Sequence, residues 1–203
     1  VTALKRVDHL FGANGSSSST YFTATSEFEK NIIVKYLGYA PDKVPVVGFT
    51  RWDKLINKTD PAHPFILMMP TWRSWLEEGQ NDELFRQSSY YRHYSSILKD
   101  AELLDFLKQK NLRLVFYIHP KLRDFIYTFS SDNDLIQLIP FNTVPLNQLI
   151  MSCSMMITDY SSACWDVYYL GKPVLFYQFD LPEYNEAHGS YVDMEKNLFG
   201  DRC

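Results

Sequence analysis

Residues 155–180 read MMITDYSSACWDVYYLGKPVLFYQFD. An apolar run over 155–160 stops at a cluster of hydroxyls and a carboxylate, an amphipathic helical stretch follows, and a second apolar run fills 173–180. Strand, helix and strand in such close succession make a β-α-β unit, in which the two strands run parallel. The pattern recurs on both sides. FILMMP (65–70), LRLVFYIHP (112–120) and LIQLIP (135–140) read as further buried strands, and PLNQLIMSC (145–153) as a short helix. YYRHYSSILKDAELLDFLKQKN (90–111) has the period of one long helix, and the segment before it is an aromatic and acidic connection. Strands alternating with helices predict an α/β fold, a parallel sheet covered by helices on both faces.

Nearer the start, YFTAT (21–25) and VPVVGF (44–49) read as strands around a helix opened by a Ser26-x-x-Glu29 capping box and closed near Gly38. Residues 54–64, polar and carrying Pro61 and Pro64, form the expected boundary between two units. The chain has 203 residues, 46% of them apolar, enough for a sizeable core. Its formal charge of −4 argues against a nucleic-acid partner, since such domains carry a basic face. Cys153, Cys164 and Cys203 are odd in number and lack CxxC spacing, which fits free thiols in a reducing compartment and no zinc site. No apolar stretch approaches the roughly 20 residues that span a bilayer. The abrupt start at Val1 is read as a piece cut from a longer protein.

Parallel sheets bind ligands beyond the carboxyl ends of their strands. Those ends here carry PTWR (70–73), HP (119–120), PFN (140–142), TDYSS (158–162) and FD (179–180), where plain turns would show more Gly and Asn. Ser161 or Asp159 is expected to cap a helix over 162–170, beside unpaired backbone N–H groups and the positive end of the helix dipole. Such a turn, with Thr158, Ser161 and Ser162, either cradles a phosphate or only caps the helix. Asp166, one turn beyond Ser162, either accepts from the hydroxyls of a diol or is a surface acid. His119 either neutralises a pyrophosphate leaving group or is a packed or capping histidine. Arg51 and Arg73 each follow a strand, and each guanidinium could grip phosphate in a fork. His9, His63, His93 and His188 have no such placement and read as structural or solvated. The tyrosines at 90, 91 and 94 read as core and helix-face packing.

With these elements in order, ITDYSSACWDVYYLGKPVLFYQFDLPEY resembles the C-terminal signature of the CDP-glycerol glycerophosphotransferase family, the teichoic acid and capsule polymerases. GFTRWD, PTWR and IHP resemble three further elements of that family, in the same order along the chain. The resemblance implies the C-terminal part of a GT-B fold, in which residues 1–60 end a partial first Rossmann-like half with its linker and residues 61–203 form the nucleotide-donor domain. It implies a transferase that moves glycerol phosphate, or ribitol phosphate, from a CDP-activated donor to a polymer hydroxyl and releases CMP. His119, Ser161 and Ser162 resemble the donor-phosphate ligands, with Arg51, Pro70, Thr71 and Asp166 as other donor-site residues; Arg73, Thr158 and Asp159 are secondary candidates. No cofactor and no metal are implied. The implied partners are the CDP-alditol and a polyol-phosphate or glycan acceptor. The implied location is cytoplasmic, peripheral at the inner face of the cell membrane through parts outside this chain. Two departures stand out. The family's base histidine, in a His-Gly pair, is expected upstream of Val1. Tyr117 stands where many members have an arginine, so a positive charge there is missing or supplied from elsewhere. A GT-B glycosyltransferase using a nucleotide sugar and a non-catalytic nucleotide-binding fragment are the alternative expectations.

Overall fold

The computed structural model describes residues 2–76, 81–188 and 200–202. It divides into two compact units, one built from residues 1–54 and 180–198, the other from 55–179 and 199–203.

The first unit holds helices α1 (Thr2–Phe11) and α2 (Glu27–Leu37), with 3-10 turns at Pro41–Lys43 and Thr50–Lys54. The hydroxyl of Ser26 accepts from the Glu29 N–H, and Gly38 ends α2 at φ 73, a left-handed conformation that glycine adopts without strain. The Glu29 carboxylate reaches one residue further back than a capping box requires, accepting from the backbone N–H (2.7 Å) and hydroxyl (2.6 Å) of Thr25. Ala24, Ile33, Leu37, Tyr39 and Val44 form its small core. The two strands expected over 21–25 and 44–49 reduce to a single parallel bridge, Ala24 with Val46. Pro45 has no N–H to give a ladder, and Val46 and Val47 are 39% and 55% exposed, so the pairing has little apolar surface to bury.

The second unit is a six-stranded parallel sheet in the order β3-β2-β1-β4-β5-β6. Its strands are β1 (Phe65–Met68), β2 (Arg113–Tyr117), β3 (Ile136–Ile139), β4 (Met155–Thr158), β5 (Val174–Phe176) and β6 (Asp201–Arg202). The α/β class read from the sequence is what forms. Ile66, Met68, Leu114 and Phe116 point into one core cluster with Phe85, Tyr90, Tyr94 and Leu107 of the helices, while Phe65, Leu67 and Val115 are buried on the opposite face. Burial on both faces is why these strands read as unbroken apolar runs. The helices of this unit are α3 (Asp82–Gln87), α4 (Ser89–Ile97), α5 (Ala101–Gln109), α6 (Leu146–Ser152) and α7 (Cys164–Tyr169). The expected single helix over 90–111 is two, because the Asp100 carboxylate accepts from the Leu103 N–H and starts α5 afresh. A 3-10 segment over Pro120–Thr128 also has no counterpart in the sequence reading. Leu181–Ala187, helix α8, belongs to the first unit. Among the described residues no helix is long and apolar enough to cross a membrane.

Candidate functional site

Strand order reverses between β1 and β4, so the loops after these two strands open beside each other at the topological switch point. The β1 loop supplies Pro70, Thr71, Trp72 and Arg73; the β4 loop supplies Asp159 to Ser162. Of the other strand ends, that of β2 with His119 lies next to β1, whereas that of β3 with its Pro-Phe-Asn lies at the sheet edge.

Asp159 stitches the two loops together. It is 0% exposed and its carboxylate accepts four hydrogen bonds, from the N–H of Thr71 (2.8 Å), the N–H of Tyr160 (2.6 Å), Arg73 Nη2 (2.9 Å) and the Tyr94 hydroxyl (3.0 Å). Arg73, also 0% exposed, donates through Nη1 to the Thr71 carbonyl at 2.8 Å. Burial first, then the charge of Asp159, holds the Tyr94 phenol well above its ordinary range, so it remains a hydroxyl donor to the carboxylate. The fork that the sequence suggested for phosphate is thus taken up by Asp159 and Thr71. The Thr158 hydroxyl is likewise engaged, donating to the Met69 carbonyl at 2.6 Å. These three residues position the loops.

The turn after β4 differs from the expected cap. Helix α7 begins at Cys164, its N-cap is Ala163 in a helical conformation with no side-chain cap, and it is six residues long. Neither Ser161 nor Asp159 is the cap, because the carboxylate has turned inward to Arg73 and the Ser161 hydroxyl accepts from the Ala163 N–H (3.3 Å) while its carbonyl accepts from Cys164. Ser162 is exposed; among the described residues only its carbonyl is engaged, by the N–H of Trp165. The turn therefore presents a hydroxyl and backbone donors, with little dipole behind them. Asp166 is 8% exposed, which excludes the surface-acid alternative.

Thr71 carries a sharper signal. Its hydroxyl is buried and meets no hydrogen-bond partner among the described residues, at the position where the β1 loop is pinned by Asp159. A buried hydroxyl left unpaired is unfavourable, and it calls for a partner from elsewhere, an ordered water or a bound group. Pro70, buried beside it, fixes the backbone at this point.

His119 follows β2, half-buried, with its ring centroid 6.2 Å from that of Trp72. Its Nδ1 accepts from the backbone N–H of Lys121 at 3.2 Å, so the neutral ring carries its proton on Nε2 and acts as a donor there. Arg51 lies in the first unit, in the 3-10 turn after Phe49, with its guanidinium 4.0 Å from that ring's centroid. The structure thus brings Thr71, Ser161, Ser162, Asp166 and His119 to one end of one sheet. Trp72 and Lys121 were not singled out from sequence, although each lies within two residues of a candidate residue. Tyr94 is the core residue the sequence suggests and in addition donates to Asp159, a role its place on a helix gave no sign of.

A family model described as CDP-Glycerol:Poly(glycerophosphate) glycerophosphotransferase matches residues 9–203. The minor teichoic acid biosynthesis protein GgaB of Bacillus subtilis (strain 168) is 28% identical over 180 residues, which is 85% of this chain and 19% of that protein. The teichoic acid glycerol-phosphate primase of the same organism is 27% identical over 212 residues, 100% of this chain and 49% of that one. A solved structure of the wall teichoic acid polymerase TagF shares the fold, with a TM-score of 0.66 at 18% identity over 99% of this chain and 48% of that one. The chain accordingly spans half or less of the length of these relatives. Because the family match takes in the β1, β2 and β4 loops and nearly all the sequence around them, the chain belongs to the CDP-Glycerol:Poly(glycerophosphate) glycerophosphotransferase family.

Proposed function

We propose that this chain binds the activated donor of a phosphoalditol transferase, which moves glycerol phosphate or ribitol phosphate from a CDP-alditol to a hydroxyl of a teichoic acid or capsule polymer and releases CMP. The observation that carries this is the buried hydroxyl of Thr71, unpartnered among the described residues, beside the exposed Ser162 turn at the switch point of a member of this family. The unit built on residues 55–179 and 199–203 acts as the donor domain, and Arg51 belongs to the other unit. The enzyme works on the cytoplasmic side, peripheral to the membrane.

In the reaction an acceptor hydroxyl attacks the β-phosphorus in line and releases its proton to water, the bond to the bridging oxygen breaks, and CMP leaves with that oxygen's charge. Ser161, Ser162, their backbone N–H groups and the Nε2–H of His119 donate to the phosphate oxygens as that charge grows. Asp166 accepts from the hydroxyls of the ribose or the alditol. Asp159 and Arg73 touch no substrate; they hold the loops that do. Calorimetry with CDP on this chain, beside Ser162→Ala and His119→Ala, tests the site: binding that neither change weakens refutes it. Transfer assays with CDP-glycerol, CDP-ribitol and UDP-sugars test the chemistry, and exclusive use of UDP-sugars refutes the phosphoalditol assignment.

A further inference from the structure

The geometry points to Lys121, seated on Trp72, as the cation that meets the donor's diphosphate at the ends of β1 and β2. This rests on the proposal that the chain binds a nucleoside-diphosphate donor. The Lys121 Nζ stands 3.8 Å from the centroid of the Trp72 ring, and the Lys121 backbone N–H is the donor that sets the tautomer of His119. One residue therefore fixes the imidazole through its main chain and brings an ammonium to the same mouth through its side chain. Lys121 is exposed, and the last residue of β2 offers no charge of its own: Tyr117 is buried, and burial pushes its phenol up, which keeps it neutral. Among the other cations of these two strand ends, Arg73 is buried against Asp159, and Arg123 lies 3.8 Å from Asp124.

The contact with Trp72 explains how a flexible lysine could serve. An indole face attracts an ammonium by about 0.5–1 kcal/mol at exposed sites, enough to bias the four-carbon stem toward one placement before an anion arrives. Less side-chain freedom is then lost on binding. Trp72 joins Thr71 directly, so the ammonium stands over the same loop that carries the unpaired hydroxyl. Two donors of different kinds, one buried and neutral, one exposed and charged, suit the two phosphates of a diphosphate better than a single phosphate or a nucleoside.

The test is titration of the chain with CDP and with cytidine, using Lys121→Met, which keeps an apolar stem on Trp72, Lys121→Arg, and Ser162→Ala. Lys121→Met should weaken CDP about tenfold or more, flatten the salt dependence of CDP binding and leave cytidine unchanged, whereas Lys121→Arg should recover most of the loss. If Lys121→Met binds CDP like the parent while Ser162→Ala is weakened, Lys121 is wrongly assigned and the donor site stands. Equal weakening of CDP and cytidine by Lys121→Met overturns the charge role in favour of packing. A folded parent chain that binds no CDP overturns the inference and the donor site together.

Discussion

Replacing Asp159 by asparagine keeps the side chain's shape and removes its charge, which tests whether the two loops are held by the buried pair. The asparagine oxygen can still accept from the N–H groups of Thr71 and Tyr160, now at 2.8 and 2.6 Å. Its amide group would face Arg73 Nη2 at 2.9 Å and the Tyr94 hydroxyl at 3.0 Å. The hydroxyl can rotate and accept, but the guanidinium cannot; it stays fully buried with the Thr71 and Trp72 carbonyls as acceptors and without the Asp159 charge that met it. Removing one partner of a buried ion pair costs about 3–5 kcal/mol. Against a total stability of about 5–15 kcal/mol that is a large fraction. With a urea slope of about 1–3 kcal/mol per molar, the unfolding midpoint should fall by 1 M or more. Arg73→Met should cost less, because the carboxylate keeps three of its four donors. The double variant should recover roughly 2 kcal/mol relative to Asp159→Asn alone, since it leaves no isolated charge. A loss below about 1 kcal/mol for Asp159→Asn, or a double variant that loses the sum of the two singles, refutes the clamp.

Thr71→Val should leave stability unchanged or raise it by up to about 1 kcal/mol, because it deletes a buried hydroxyl that has no partner among the described residues, while weakening CDP binding; urea unfolding and calorimetry on the same sample read both effects. Burial pushes the thiols of Cys153 and Cys164 up from 9.0, to about 11 and about 12 respectively. Their folded values lie above the unfolded one, so this stabilisation is fully present below pH 9 and is lost as pH climbs through about 11–12. The urea midpoint of the parent should therefore fall more steeply above pH 9 than that of a Cys153→Ala/Cys164→Ala variant, and parallel curves would contradict this. Ser26→Ala removes the acceptor for the Glu29 N–H and should cost the first unit about 1 kcal/mol, read from the loss of helical ellipticity on heating.

The strands and the switch-point loops were legible because parallel strands buried on both faces leave an apolar run, and each run ended at residues that turns do not need. Local chemistry also read true for α2, where Ser26 and Gly38 act within one turn of themselves. Other features depend on partners that no window of sequence contains. The break between α4 and α5 needed Asp100 to be weighed as a cap against a helical period that ran straight through it. Strand β6 is two residues long and takes its shape from pairing with Leu175 and Phe176. The bridge between Ala24 and Val46 shows the converse, β-forming residues with nothing to build on.

Arg73 and Asp159 make the point most sharply, being 86 residues apart in the chain and 2.9 Å apart in the fold. From sequence, an arginine and an aspartate at strand ends are equally good ligands for a phosphate and for a diol. Burial decides between the uses: a guanidinium and a carboxylate both shut away from water need each other, and each then has little left for a substrate. Lys121 and Ser162 are the contrary case, exposed side chains on loops that the buried pair and the Trp72 ring keep in place. The division of labour follows from that difference, with charge used inside the sheet end to fix geometry and charge outside it to meet the ligand. It also explains why after β4 Thr158 and Asp159 position the site while Ser161 and Ser162, further along the loop, make the proposed contacts, whereas after β1 the order is reversed, with Arg73 positioning and Thr71 making the contact.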